Sequence, residues 1–238
     1  MRVSLIIIFL SIVFSSCAKN NDKNFKDARS SFVKIEIKEN VSICYDGSCN
    51  QRSFVAVSSG VVVKFKNSEK VVLTAAHSCK MREDNEIPKI PGATIKIESE
   101  VNGYDINNMK HVLKIKKRDI EEDLCILEAD TLWQDGVPVS KIHPKADQRV
   151  YNYASPKGIF EEGMIPLFEG FYSGIRGSYA GYTIPAALGS SGSMIIDRKG
   201  YLIGMIHSVH AEFNHFAMSP TLCAIRKFLE LDEENKDD

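Results

Sequence analysis

From residue 32 onward, apolar positions come in short bursts rather than at helical spacing. Phe32-Val33-Lys34-Ile35-Glu36-Ile37-Lys38 alternates with period two, the pattern of a half-buried strand. Further bursts fall at 54–57, 60–65, 70–76, 93–97, 111–115, 124–127, 149–153, 167–172, 193–196, 201–206 and 213–218, most of them separated by Gly, Pro, Asn, Asp or Ser. About a dozen short strands with turn residues between them predict an all-β sandwich or barrel. Crossover helices are missing, which argues against a parallel βαβ sheet. One helix is predicted near the C-terminus. Ser219-Pro220 offers an N-cap and a first helical position, and Leu222, Ile225, Phe228 and Leu229 follow at helical spacing. Residues 231–238 form an acidic tail.

Composition narrows the picture only a little. Hydrophobic residues make up 44% and charged residues 26% of the 238 positions, which excludes wholesale disorder. A net charge of -1 gives no reason to expect nucleic acid as a partner. The first segment is different in kind. Arg2, an apolar run from Val3 to Phe14, then Ser15 and Ser16 have the layout of a secretory signal peptide over 1–16. Followed by Cys17, this ending resembles a bacterial lipoprotein signal. The resemblance implies that Cys17 is lipidated and becomes the new N-terminus, although Phe14 departs from the usual small aliphatic residue. The other reading is plain cleavage nearby, giving a soluble secreted protein. Residues 17–31 read as a polar tether and 32–230 as the folded domain. The expected location is the bacterial cell envelope, anchored to the membrane by the lipid and facing the periplasm or the exterior.

Export permits disulfides. Cys44 and Cys49 bracket Asp46-Gly47, a turn dipeptide, so a clipped hairpin is expected. Among Cys79, Cys125 and Cys223 at most one pair can form, and spacing does not choose it. No Cys-x-x-Cys pair or spaced His pair accompanies them, so a zinc site has little support.

Three stretches carry chemistry: Leu73-Thr74-Ala75-Ala76-His77, Asp123-Leu124-Cys125-Ile126-Leu127 and Gly189-Ser190-Ser191-Gly192-Ser193. A serine hydroxyl needs a base within hydrogen-bond reach, and imidazole suits that task near neutral pH. A carboxylate must hold the imidazole in the right tautomer. Small residues beside the nucleophile let backbone N–H groups meet an oxyanion, which assigns that task to Gly189 and Ser191. Ser193 is the rival nucleophile, and Asp119 and Asp130 are the rivals of Asp123.

In the order His, Asp, Ser, these stretches resemble the motifs of trypsin-like (chymotrypsin-fold) serine proteases of bacterial type, similar to glutamyl endopeptidase relatives. Residues 150–158, 169–171 and 200–207 extend the resemblance to most of 32–230. It implies two six-stranded antiparallel β-barrels with a C-terminal helix, and a site in the cleft between them. It also implies a serine endopeptidase acting through His77, Asp123 and Ser191, with protein or peptide substrates and no cofactor or metal. Departures are informative. Ser190 stands where animal trypsins carry an Asp, Met194 where a Pro is usual, and no Ile-Val-Gly-Gly activation sequence precedes the domain. Pro185 takes the place of the acid that gives trypsins their basic specificity. His207 lies one residue beyond the His with which glutamyl endopeptidases bind acidic side chains. Pro185, His207 and Ser208 are therefore the expected substrate-binding residues, with the choice between acidic, small and apolar side chains open. His207 is equally readable as a hydrogen-bonded strand histidine. A metal site from His207, His210 and His215 fits no standard spacing. A non-catalytic peptide-binding module on the same fold is the alternative function.

Overall fold

The structure, a computed structural model, describes residues 28–65, 68–79, 90–130 and 135–231. The predicted leader, Cys17, most of the tether and most of the acidic tail lie outside these residues.

The apolar runs are strands buried on both faces. The first six, β1 (Phe32–Tyr45), β2 (Ser48–Lys64), β3 (Lys70–Ala75), β4 (Ala93–Tyr104), β5 (Lys110–Asp119) and β6 (Leu124–Glu128), close a barrel in the order β1-β2-β3-β6-β5-β4. Val61 and Val63, Val71 and Leu73, and Leu124 and Ile126 face one core cluster. Val62, Val72, Cys125 and Leu127, at the intervening positions, face a second. Side chains alternate along a strand, so a run with no polar break is what two buried faces require. Seven more strands follow: β7 (Arg149–Tyr153), β8 (Leu167–Arg176), β9 (Tyr179–Tyr182), β10 (Met194–Ile196), β11 (Leu202–Met205), β12 (Ser208–His210) and β13 (Phe213–Pro220). They form a curled sheet in the order β11-β10-β7-β8-β9-β13-β12. Met194, Ile196 and Leu202 from this sheet join Leu73 and Leu124 in the first cluster, which welds the two halves together. The all-β, chymotrypsin-like class is thus borne out. The second half is an open sheet of seven strands rather than a closed barrel of six.

Two local differences have clear causes. The C-terminal helix spans Leu222–Phe228 and is capped by Thr221, whose Oγ1 accepts from the Ala224 N–H. Ser219-Pro220 does not start it, because β13 stays paired with β9 through Pro220 and the Ser219 hydroxyl accepts the Met205 N–H. β1 and β2 are far longer than their apolar cores. The Cys44–Cys49 disulfide forms at the tip, where Asp46 and Gly47 both adopt positive φ, as a two-residue hairpin loop requires.

Candidate active site

β3 and β6 are paired with Ala75 opposite Leu124. His77 sits two residues beyond the end of β3, on the 3-10 turn Ala76–Ser78, and Asp123 sits one residue before β6. Strand register therefore sets them side by side. The Ala76 N–H donates to the Asp123 carbonyl at 3.1 Å. The His77 N–H donates to Asp123 Oδ1 at 2.9 Å, and His77 Nδ1 meets Oδ2 at 2.8 Å. A disulfide joins Cys79 to Cys125, stapling the same corner two residues beyond each. Asp123 takes a φ of 53°, a left-handed conformation that Asp accepts more readily than most residues. The rival carboxylates are elsewhere: Asp119 caps the β5–β6 turn by accepting the Glu122 N–H, and Asp130 lies beyond β6.

A second imidazole reaches the same carboxylate. His207 Nδ1 lies 3.4 Å from Asp123 Oδ2, its ring stacks on Tyr179 with centroids 4.9 Å apart, and its Nε2 is 3.1 Å from the Ser208 hydroxyl. The position expected to face substrate thus faces Asp123. Burial by itself would raise the Asp123 carboxyl, but the donors from His207, the His77 ring and the His77 backbone outweigh it and hold the group well below the usual carboxylate range. A carboxylate only accepts, so His77 carries its proton on Nδ1 and leaves Nε2 free to take one.

The serine loop is pinned to the barrel that carries His77. The Ser59 N–H donates to the Ser191 carbonyl at 2.8 Å, and the Ser59 hydroxyl donates to the Gly189 carbonyl at 2.8 Å. Thr74, three residues before His77, donates its hydroxyl to the Ser59 carbonyl at 2.8 Å. Gly192 has a φ of 84°, and a Cβ there would overlap the Ser59 carbonyl and Thr74 Oγ1. Gly192→Ala is expected to push the loop off β2 and β3 and to abolish the casein cleavage that the resemblance implies, which an assay on the folded variant checks. Ser193 is fully buried and its hydroxyl accepts from Asn152 Nδ2 at 2.8 Å, whereas Ser191 is half-exposed. Ser190 is buried, and its hydroxyl accepts the Ala187 N–H, closing the turn within the loop itself. The Leu188 carbonyl is held by the Lys157 N–H at 2.5 Å. Among the described residues the Gly189 and Ser191 N–H groups donate to no backbone carbonyl. Pro185 is half-buried beside Ala186, whose N–H donates to the Asn214 carbonyl.

The parts played by Ser59, Thr74, Asn152 and Ser155, whose N–H donates to the Ser59 hydroxyl at 3.0 Å, escaped the sequence reading. Their only trace was a small polar break, Ser58-Ser59, in an apolar strand, and a Thr and an Asn inside buried runs.

The family model described as Trypsin-like peptidase domain matches residues 58–205, more than half of the chain. The chain belongs to the trypsin-like peptidases. A peptidase domain implies protein or peptide substrates. Solved structures are similar in fold. The Rv3671c protease of M. tuberculosis in its active form superposes with a TM-score of 0.63 at 17% identity, over 88% of this chain and 84% of that one. The serine endoprotease of Yersinia pestis gives 0.62 at 16%, over 89% and 65%. No curated protein sequence matches this peptidase.

Proposed function

We propose that the chain is an exported serine endopeptidase using His77, Asp123 and Ser191. The observation that carries this reading is the 2.8 Å contact from His77 Nδ1 to Asp123 Oδ2, on strands that also anchor the Ser191 loop. Ser191 Oγ attacks the peptide carbonyl while His77 Nε2 takes its proton. The Gly189 and Ser191 N–H groups receive the oxyanion. The tetrahedral intermediate collapses, the C–N bond breaks, and His77 returns the proton to the departing amine. Water, deprotonated by His77, then cleaves the acyl-enzyme and releases Ser191. No step calls for a cofactor.

His207 acts here as a positioning residue. Both its ring nitrogens have neighbours, Asp123 and Ser208, so it is poorly placed to bind an acidic side chain. Beside it, the apolar Ile175, Tyr179, Phe216 and Met218 line a cavity of about 610 Å³ together with Arg176 and His210, so the cavity offers apolar surface and a cation in the same place. His207→Ala is expected to lower kcat at least tenfold with little change in KM, since a hydrogen bond to a charged group contributes roughly 1.5–3 kcal/mol; His207→Asn recovers part of the loss. Steady-state kinetics on one peptide substrate check the split.

Residues 1–17 support export and lipid attachment at Cys17, placing the domain at a membrane surface of the bacterial envelope. A diacylglyceryl mass on the mature N-terminal peptide is the expected result. The catalytic reading itself is tested with a fluorophosphonate probe: labelling of the wild type and none of Ser191→Ala is expected. A folded wild type that stays unlabelled would favour the peptide-binding alternative.

A further inference from the structure

β1 and β2 run on well past the barrel as an arm. Their register is unbroken from Phe32 opposite Val61 to Tyr45 opposite Ser48. β4 pairs with the far side of β1 out to Ala93 opposite Tyr45, and the Cys44–Cys49 disulfide closes the tip. The arm is therefore a braced three-stranded platform. On its other side β2 pairs with β3 only from Val61 to Lys64. From Ser48 to Ala56 every β2 residue is exposed. Among the described residues, nothing pairs with that edge.

Which backbone groups face the open edge follows from parity. In an antiparallel strand the N–H and C=O groups of successive residues point to opposite sides. The Val62 N–H points toward the start of β1, to the Ser31 carbonyl, and the Ser59 N–H points away from it, to the Ser191 carbonyl. With no register shift in between, Val57, Val55, Ser53 and Gln51 face the same side as Ser59. The row of open donors and acceptors thus begins at Ser191 and continues outward for roughly 25 Å, at about 3.3 Å per residue. Val57 lies over Gly158, in the turn whose Lys157 N–H holds the Leu188 carbonyl, beside the oxyanion donors. The opposite flank of Ser191 belongs to β12: the Gly192 N–H donates to the Ile206 carbonyl, and β12 follows at Ser208.

Open edges are usually blunted by charge or by proline. β4 follows that rule, with Lys96, Glu98 and Glu100 along its outer stretch. From Ser48 to Val57, β2 carries one charge, Arg52, and no proline. We infer that the part of this edge that runs past the barrel, from Ser48 to Ala56, lengthens the leaving-group side of the cleft and binds the far residues of a long, extended polypeptide substrate by strand addition. The inference rests on the proposed peptidase reading, which gives the β12 flank to the acyl side. Recognition here is through main chain, so it selects for extended, unfolded polypeptide rather than for a sequence.

The test uses the full-length protein and peptides identical on the acyl side of the cut, with two or eight residues on the leaving side. The longer peptide is expected to show a kcat/KM at least tenfold higher. N-methylation of alternate leaving-side residues should erase that gain in one parity and spare it in the other. Val55→Pro, which removes an outward N–H, should bring the long-to-short ratio near one, each variant being normalised to its own short-peptide rate. Equal rates for the two lengths, or equal effects of the two methylation parities, would overturn the inference. So would a Val55→Pro variant that keeps the ratio but loses self-association in sedimentation, since the edge would then serve a second copy. If the wild type neither cleaves nor labels with fluorophosphonate, it is the peptidase reading that falls. Parity-dependent binding of the eight-residue leaving-side peptide to Ser191→Ala, read by fluorescence anisotropy, then still decides the edge.

Discussion

Asp123→Asn is expected to lower kcat by about four orders of magnitude, while KM changes little. The amide can donate through Nδ2 but offers a single acceptor where the carboxylate offers two oxygens to three donors. With an N–H turned toward it, His77 carries its proton on Nε2 and cannot take one from Ser191. The same variant separates catalysis from stability. The Asp123 carboxyl is held low in the folded protein, below its unfolded value of about 3.9. Its stabilising contribution is therefore complete above that pH and is lost as pH falls toward the folded value. The Tm advantage of the wild type over Asp123→Asn should be flat above pH 5 and shrink below pH 4.

Removing the Cys79–Cys125 bridge is the other large effect. Both half-cystines are fully buried, and the bridge spans 46 positions. Loop-closure entropy for a ring of that size is roughly 4 kcal/mol, which corresponds to a Tm loss of roughly 10 °C for a domain of this length. Cys79→Ala with Cys125→Ala should show that loss in a thermal melt and a fall in kcat as well, because the bridge clamps the turn that carries His77 to the strand that follows Asp123. Cys44→Ala with Cys49→Ala, which opens a ring of only a few residues, should cost about half as much stability.

Much of this arrangement was legible because it is local. An apolar run ending in Thr-Ala-Ala-His predicts a strand that mounts a base at its end, and β3 does so. Gly189-Ser190-Ser191-Gly192 predicts a tight turn that exposes a hydroxyl, and the positive φ values of Gly189 and Gly192 supply it. The Asp46-Gly47 hairpin and its clip were legible for the same reason. What escaped is held by contacts between distant positions. Nothing near Cys79 marks Cys125 rather than Cys223 as its partner. Nothing near Ser59 announces that its N–H holds a carbonyl more than a hundred residues away. β9 and β12 are too short, and β9 too interrupted by Gly181, to show alternation. His207 read as a substrate ligand through the resemblance to glutamyl endopeptidases and as a hydrogen-bonded strand histidine from its surroundings; its partner Asp123 comes from the other half of the molecule, which no local pattern marks.

Acylation of Ser191 is the step on which catalysis turns. Mixing the protein with a slowly hydrolysed active ester, quenching in acid and sequencing the proteolytic fragments by mass spectrometry tests it directly. The acyl mass is expected on Ser191, absent from Ser191→Ala and slow to form in Asp123→Asn. An acyl group on any other residue, or casein cleavage that survives Ser191→Ala, would contradict it.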